Sequence, residues 1–224
     1  MSRSKRFSAA AFDLDGTLKV PDEPYVSEAV SSVLSTLRDG GVKLVLVTGR
    51  CELEARKIAS LELFDRVVAE NGALLLSASA SRVLASKQWM RQRSRLLQHT
   101  VAGCERVIFS FSRQEEPKAR SLVSELGLAA EVQPNKDRVM VVPRGVNKAK
   151  GLAEALSELG ESPSATVCFG DGENDLPMFR LCGYSVALAN SVPELKLAAN
   201  AVATLPNGEG VREQAAKIWR ELFT

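Results

Sequence analysis

The segment "AAAFDLDGTL", residues 9–18, starts as an apolar run and ends by setting Asp13 and Asp15 one residue apart. Consecutive apolar residues read as a strand buried on both faces. Two like charges on one face at the end of such a strand repel each other, so the pair calls for protons or a cation nearby. Working outward, the apolar half of this pattern recurs. "VKLVLVTG" (42–49), "RVVAE" (66–70), "ATVCFG" (165–170), "YSVALA" (184–189) and "AVAT" (201–204) read as strands. Amphipathic stretches of helical length lie between them: "SEAVSSVLSTLRDGG" (27–41), with Ser27 as cap and Gly40–Gly41 as stop, then "CELEARKIASLEL" (51–63). After these come "NKAKGLAEALSELG" (147–160), "DLPMFRLC" (175–182), "VPELKLAA" (192–199) and "GVREQAAKIWREL" (210–222). Two-face apolar strands alternating with helices predict an α/β fold, a Rossmann-like parallel sheet covered on both sides.

The middle of the chain breaks the rhythm. Strand pairs "ALLLS"/"RVLAS" and "AAEVQP"/"RVMVV" flank a helix at Trp89–Val101, a strand "RVIFSF" and a helix "PKARSLVSELG". This β-β-α-β-α-β-β order predicts a small α+β domain at residues 76–143, inserted into a core made of residues 1–75 and 144–224. Both junctions, "ENGA" and "PRGVN", carry turn chemistry.

The 224 residues are 45% hydrophobic and 25% charged, with a net charge of +2, which points away from nucleic acid or an anionic membrane as the main partner. No apolar stretch approaches the roughly 18–20 residues needed to span a bilayer. The start, "MSRSKRFSAAAF", reads as a basic tail leading into a strand and not as a signal peptide, because Asp13 interrupts its apolar part. Cys51, Cys104, Cys168 and Cys182 are widely spaced, and their mostly apolar surroundings suit buried free thiols better than disulfides or a zinc site. A cytoplasmic setting follows as the expectation. The single histidine, His99, reads as structural.

In open parallel sheets ligands bind beyond the carboxyl ends of the strands. Those ends deliver Asp13, Asp15 and Gly16; Thr48, Gly49 and Arg50; and Asp171, Asn174 and Asp175 from "GDGENDLP", with Lys148 opening the helix after the insert. Four carboxylates at one edge suggest a hard divalent cation with oxygen ligands, such as Mg²⁺. A hydroxyl and an ammonium beside it are suited to the oxygens of a phosphoryl group. Asp13 then reads as an in-line nucleophile, and Asp15 as the acid/base that serves leaving group and water.

At these positions the sequence resembles the haloacid dehalogenase (HAD) superfamily of phosphatases, through "DLDGTL" (13–18), "VTGR" (47–50), "NKAKGL" (147–152) and "GDGENDLPMF" (170–179), in that order. The insert falls where that family's type II caps lie. Its size, and the closing "NGEGVREQAAKIW", resemble archaeal-type phosphoglycolate phosphatases. The resemblance implies nucleophile Asp13 and acid/base Asp15, with Mg²⁺ held by Asp13, the Asp15 carbonyl, Asp171 and Asp175. It implies phosphate held by Thr48, Gly49 and Lys148, with Asn174 orienting its neighbours beside the phosphate. The expected substrate is a small phosphorylated metabolite, 2-phosphoglycolate first. Sucrose-phosphate, mannosylphosphoglycerate and broad sugar phosphatases share the motifs, and a phosphomutase of the superfamily is a further reading. The chain is expected as a monomer or homodimer.

Simpler readings stand beside these. Asp-Gly is a common turn pair, Thr48 and Asp175 are potential helix caps, and Lys148 alone would read as an exposed lysine. The basic run Arg82, Lys87, Arg91, Arg93 and Arg95 fits a solvated helix face, or else steering of anions. Lys136 and Arg138, in a hairpin turn, are candidates for a substrate carboxylate. Trp89 and Met90 read as core. A phospho-accepting receiver would lack a carboxylate two residues after its acceptor, and no nucleic-acid-binding motif is present.

Overall fold

The computed structural model describes residues 7–58, 61–99 and 103–222. In chain order the elements are β1 (Ala9–Phe12), α1 (Glu28–Asp39), β2 (Lys43–Val47), α2 (Glu52–Lys57), β3 (Arg66–Ala69), β4 (Leu74–Leu76) and β5 (Ser81–Val83). There follow α3 (Lys87–Leu96), β6 (Phe109–Ser112), α4 (Glu116–Glu125), β7 (Ala130–Asn135), β8 (Arg138–Pro143) and α5 (Lys148–Leu159). The chain closes with β9 (Thr166–Gly170), α6 (Leu176–Leu181), β10 (Tyr184–Ala187), α7 (Pro193–Ala198), β11 (Ala201–Val202) and α8 (Asn207–Leu222).

The main sheet runs β11-β10-β9-β1-β2-β3-β4-β5, parallel from β11 to β3. Strand alternation divides its residues between two apolar layers. Ala10, Phe12, Leu44 and Leu46 join Val30 and Leu34 of α1 and Val211 of α8 on one face. Ala9, Ala11, Val45 and Val47 join Leu152 and Leu156 of α5 and Met178 of α6 on the other. This is the three-layer α/β arrangement expected from strands that are apolar on both faces. The chain leaves β1 towards β2 and later returns to β9 on the other side, so the ends of β1, β2 and β9 adjoin at a topological switch point.

One expectation for the insert is corrected. The β4–β5 hairpin, of which residues 76 and 81–83 fall within the expected insert 76–143, extends the main sheet: β4 pairs antiparallel with β3, and β5 with β4. Leu74–Leu76 is buried throughout, and this apolar hairpin finds its partner at the open edge of β3. The second sheet is three-stranded, β6-β8-β7 and antiparallel, with α3 and α4 packed on it. Trp89 is buried as expected, and its indole N–H donates to the Val107 carbonyl at 2.9 Å. Helix α2 ends at Lys57, short of the expected 51–63, and residues 59–60 lie outside the described residues, as do 100–102 at the end of the predicted helix Trp89–Val101. Among the described residues no helix is long and apolar enough to cross a membrane.

Candidate active site

Asp13 follows β1 directly, its N–H donating to the Phe169 carbonyl of β9 at 3.0 Å, which fixes it between the two strands. The turn after it depends on Gly16, whose φ of +85° lies in the left-handed region and whose missing Cβ leaves room for the Asp171 carboxylate. The Asn190 amide closes this corner, donating to the Gly16 carbonyl at 2.8 Å and to Asp171 Oδ2 at 3.0 Å.

Lys148 is the first residue of α5, whose cap Asn147 accepts from the Lys150 N–H at 3.0 Å. Its Nζ lies 2.6 Å from Asp13 Oδ1 and 2.6 Å from Asp175 Oδ1, and its side chain is 1% exposed. Burial opposes the lysine's charge, but the Asp13 and Asp175 carboxylates outweigh it and raise its pKa. Burial raises the Asp13 carboxyl well above the ordinary range; Lys148 opposes, while Asp175 and Asp171 add to the rise. Asp171 is raised for the same first reason, burial, with Asp175 adding to it and Lys136 opposing. Asp175 spends its second oxygen on the loop, accepting from the Asp171 and Gly172 N–H groups at 2.9 and 3.0 Å. It therefore ties the acidic loop together and does not cap α6 with its side chain.

Thr48 is buried at the end of β2, and its Oγ1 accepts from the Arg50 N–H at 3.1 Å. The cap of α2 is Cys51 and not Thr48, which leaves the threonine hydroxyl lining the cleft beside Gly49. Asp15 forms a bidentate pair with Arg50, at 2.6 and 2.9 Å, and Lys19 Nζ lies 2.8 Å from its Oδ1. Burial works against its charge, yet the hydrogen bonds from Arg50 and Lys19 prevail and lower its pKa. Asn174 is buried, and its amide donates to Asn71 Oδ1 at 3.0 Å.

The insert forms one wall of the cleft, a cavity of about 460 Å³ lined from the core by Asp13, Asp15, Thr48 and Arg50 and from the insert by Lys136, Arg138 and Met140. Lys136 forms an ion pair with Asp171, and its N–H donates to Glu173 Oε2 at 2.9 Å. Two further bridges join core and insert. Asn71 passes its amide hydrogen bond to Gln133 Oε1 at 2.6 Å, and Gln133 donates to the Val146 carbonyl at 2.9 Å. Glu70, fully buried, accepts from the N–H groups of Arg106, Val107 and Ile108 at 2.6 to 3.0 Å. The basic run is partly committed to structure: Arg82 pairs with Glu154 and Glu158, and Arg93 lies 4.6 Å over the Phe109 ring.

The cysteine expectation is overturned at one pair. Cys51 and Cys104 form a disulfide across the core–insert boundary, with Cα atoms 5.9 Å apart, whereas Cys168 and Cys182 are free. The separation of 53 residues hides the pair in the sequence; the fold lays residue 104 against the start of α2.

Asp13, Asp171 and Asp175 each offer a carboxylate oxygen, all within 4.8 Å of one another. An all-oxygen donor set of buried acids, two of them raised in pKa, fits a hard divalent cation such as Mg²⁺. The Asp15 carboxylate is outside this group, being turned to Arg50 and Lys19.

The chain and its fold are similar to known proteins. The family model for haloacid dehalogenase-like hydrolases matches residues 10–112 and 104–214. Phosphoglycolate phosphatase 2 of Saccharolobus solfataricus is 29% identical over 214 residues, covering 93% of this chain and 91% of its own. Phosphoglycolate phosphatase of Archaeoglobus fulgidus is 30% identical over 214 residues, covering 92% and 94%. The solved HAD phosphatase BT1666 of Bacteroides thetaiotaomicron superposes with a TM-score of 0.75 at 21% identity, covering 98% of this chain and 97% of that one. The chain is an enzyme-type α/β protein with an inserted α+β unit, and it belongs to the haloacid dehalogenase-like hydrolase family.

Proposed function

We propose that the chain is a Mg²⁺-dependent phosphomonoester hydrolase, acting on a small phosphorylated metabolite through an aspartyl-phosphate, with 2-phosphoglycolate as its preferred substrate. The observation that carries this reading is Lys148, buried and bonded to both Asp13 and Asp175 beneath a cleft that Thr48 lines. Asp13 attacks phosphorus with one carboxylate oxygen while Thr48 and Lys148 hold the phosphoryl oxygens. Asp15 protonates the departing oxygen and then takes a proton from the water that attacks the intermediate. Its pairing with Arg50 and Lys19 keeps it ionised, the form that accepts the water's proton; the donating step needs a carboxyl released from Arg50.

Asp13, the Asp15 carbonyl, Asp171 and Asp175 would hold Mg²⁺, which supplies charge neutralisation for the phosphoryl group when bound. The insert acts as the cap. Arg138 and Lys136 on its hairpin face the cleft and suit a carboxylate carried close to the phosphate, as 2-phosphoglycolate has. The two archaeal relatives named phosphoglycolate phosphatase support the same choice. Phosphate release should be measured with Mg²⁺ and with EDTA across 2-phosphoglycolate, sugar phosphates, nucleotides and p-nitrophenyl phosphate. A kcat/KM highest for 2-phosphoglycolate and abolished by EDTA is expected; equal, weak activity on all esters would replace the substrate with sugar phosphates at large.

A further inference from the structure

Apart from the chain connections, the insert meets the core through non-covalent contacts, a shared apolar cluster and polar bridges: Glu70 with the backbone ahead of β6, Asn71 with Gln133, and Lys136 with Asp171. Contacts of this kind can break and re-form as a cap opens and closes. Among the described residues one cross-link is different in kind. The disulfide joins Cys51, buried three residues beyond Thr48, to Cys104 on the exposed stretch before β6, and both residues line the cleft.

We infer that Cys51 and Cys104 are a redox latch, a modification site whose oxidation pins the insert over the cleft and whose reduction frees it to open. This rests on the phosphatase reading, because the latch regulates that same site. The position carries the argument. A bond at residue 51 fixes the insert to the start of α2, directly beside the Thr48–Gly49 segment that a phosphate must reach. Substrate entry and product release both require that wall of the cleft to move. Either of two free thiols could move with its own domain, but a disulfide holds both Cα atoms near their present 5.9 Å separation.

A small-molecule disulfide, RSSR, is the oxidant. The Cys104 thiolate, on the exposed segment, attacks one sulfur of RSSR, releasing RS⁻ and leaving a mixed disulfide. The Cys51 thiolate then attacks Cys104 Sγ and releases the second RS⁻. Two protein thiols thus lose two protons and two electrons, and RSSR is reduced to two thiols. A dithiol reductant reverses both steps.

The test compares wild type and Cys104→Ser, each treated with oxidised glutathione and then with dithiothreitol. Three readings are taken: peptide mapping of the 51–104 link, amide hydrogen exchange of the two junction segments, and phosphate release. Oxidised wild type is expected to show the link, slower exchange at the junctions, and kcat/KM lowered by about ten-fold or more, since opening becomes limiting. Dithiothreitol should restore both, and Cys104→Ser should show the same exchange and turnover before and after each treatment. A link that fails to form, or one that forms while exchange and turnover stay unchanged, overturns the latch. Absence of phosphate release from reduced enzyme with any ester would instead overturn the phosphatase reading, and the exchange comparison would still decide the latch.

Discussion

Lys148 and Asp13 stand 135 residues apart in sequence and 2.6 Å apart in space. The intervening chain includes the whole insert, so α5 delivers the ammonium only after the insert has been built and the chain has returned to the core. The same ammonium reaches Asp175 at 2.6 Å. One buried cation therefore partners two of the three acids that fit a metal, and it does so at the end of the strand that begins the fold.

Replacing Lys148 with Ala removes this cation. Loss of one preorganised electrostatic donor typically costs about 3 kcal/mol of transition-state stabilisation, so kcat/KM is expected to fall roughly 100- to 1,000-fold. Steady-state kinetics check this, and an unchanged kcat/KM would remove Lys148 from the site.

Arg50→Ala releases Asp15 from its bidentate partner, leaving Lys19 as its remaining ion pair. In the proposed reaction Arg50 is a positioning residue, holding Asp15 through its two hydrogen bonds. The expected effect is a kcat lower by about ten-fold or more with a much smaller change in KM, because the acid/base is misaligned while the phosphate contacts remain. Arg50→Lys should recover only part of the rate, since an ammonium makes no fork. A variant that changes KM alone would show that Arg50 binds substrate and does not orient Asp15.

Much of this site was legible because strand ends are legible. The apolar run 9–12 and the acids that follow it place Asp13 at a carboxyl edge, and the motifs at 47–50 and 170–175 do the same for their neighbours. Side-chain partners across the chain were not. Nothing near Arg50 in sequence marks it for Asp15, and Asn71 sits in a stretch that reads only as a turn. The β4–β5 hairpin carries the local signals of any strand pair; only the open edge of β3 decides which sheet it joins. The Cys51–Cys104 pair was missed for the same reason, because proximity over 53 residues is a property of the assembled fold.

Glu70→Ala should loosen the insert. It leaves three backbone N–H groups without their acceptor, and at about 1–3 kcal/mol for an unsatisfied buried group a total loss of roughly 2–4 kcal/mol is expected after partial rehydration. Denaturant melts measure the loss, and amide exchange should rise first at residues 106–108. Full stability would mean that these N–H groups find water or another acceptor.

Glu213 gives a pH signature remote from the cleft. Its carboxylate binds Lys217, Thr204 and the Leu205 N–H, tying α8 to the segment after β11. The Lys217 hydrogen bond foremost, against slight burial, pushes its pKa from the ordinary 4.5 down to about 2. Between those values the unfolded chain binds more protons than the native one, so the stabilisation is present above pH 4.5 and lost as pH falls towards 2. Wild type should melt above Glu213→Gln at neutral pH, with the gap closing across that acid window. A gap independent of pH would locate the effect in packing.

The central claim is that Asp13 takes the phosphoryl group. The direct measurement is acid quenching of the enzyme during turnover of 2-phosphoglycolate with Mg²⁺, followed by peptide mass analysis of wild type and Asp13→Asn. The account predicts a phosphoryl group on the peptide holding Asp13 in wild type, and neither that adduct nor turnover in a folded Asp13→Asn, because an amide is a poor nucleophile. Turnover at the wild-type rate by Asp13→Asn, or a phosphoryl group on any other residue, would contradict it.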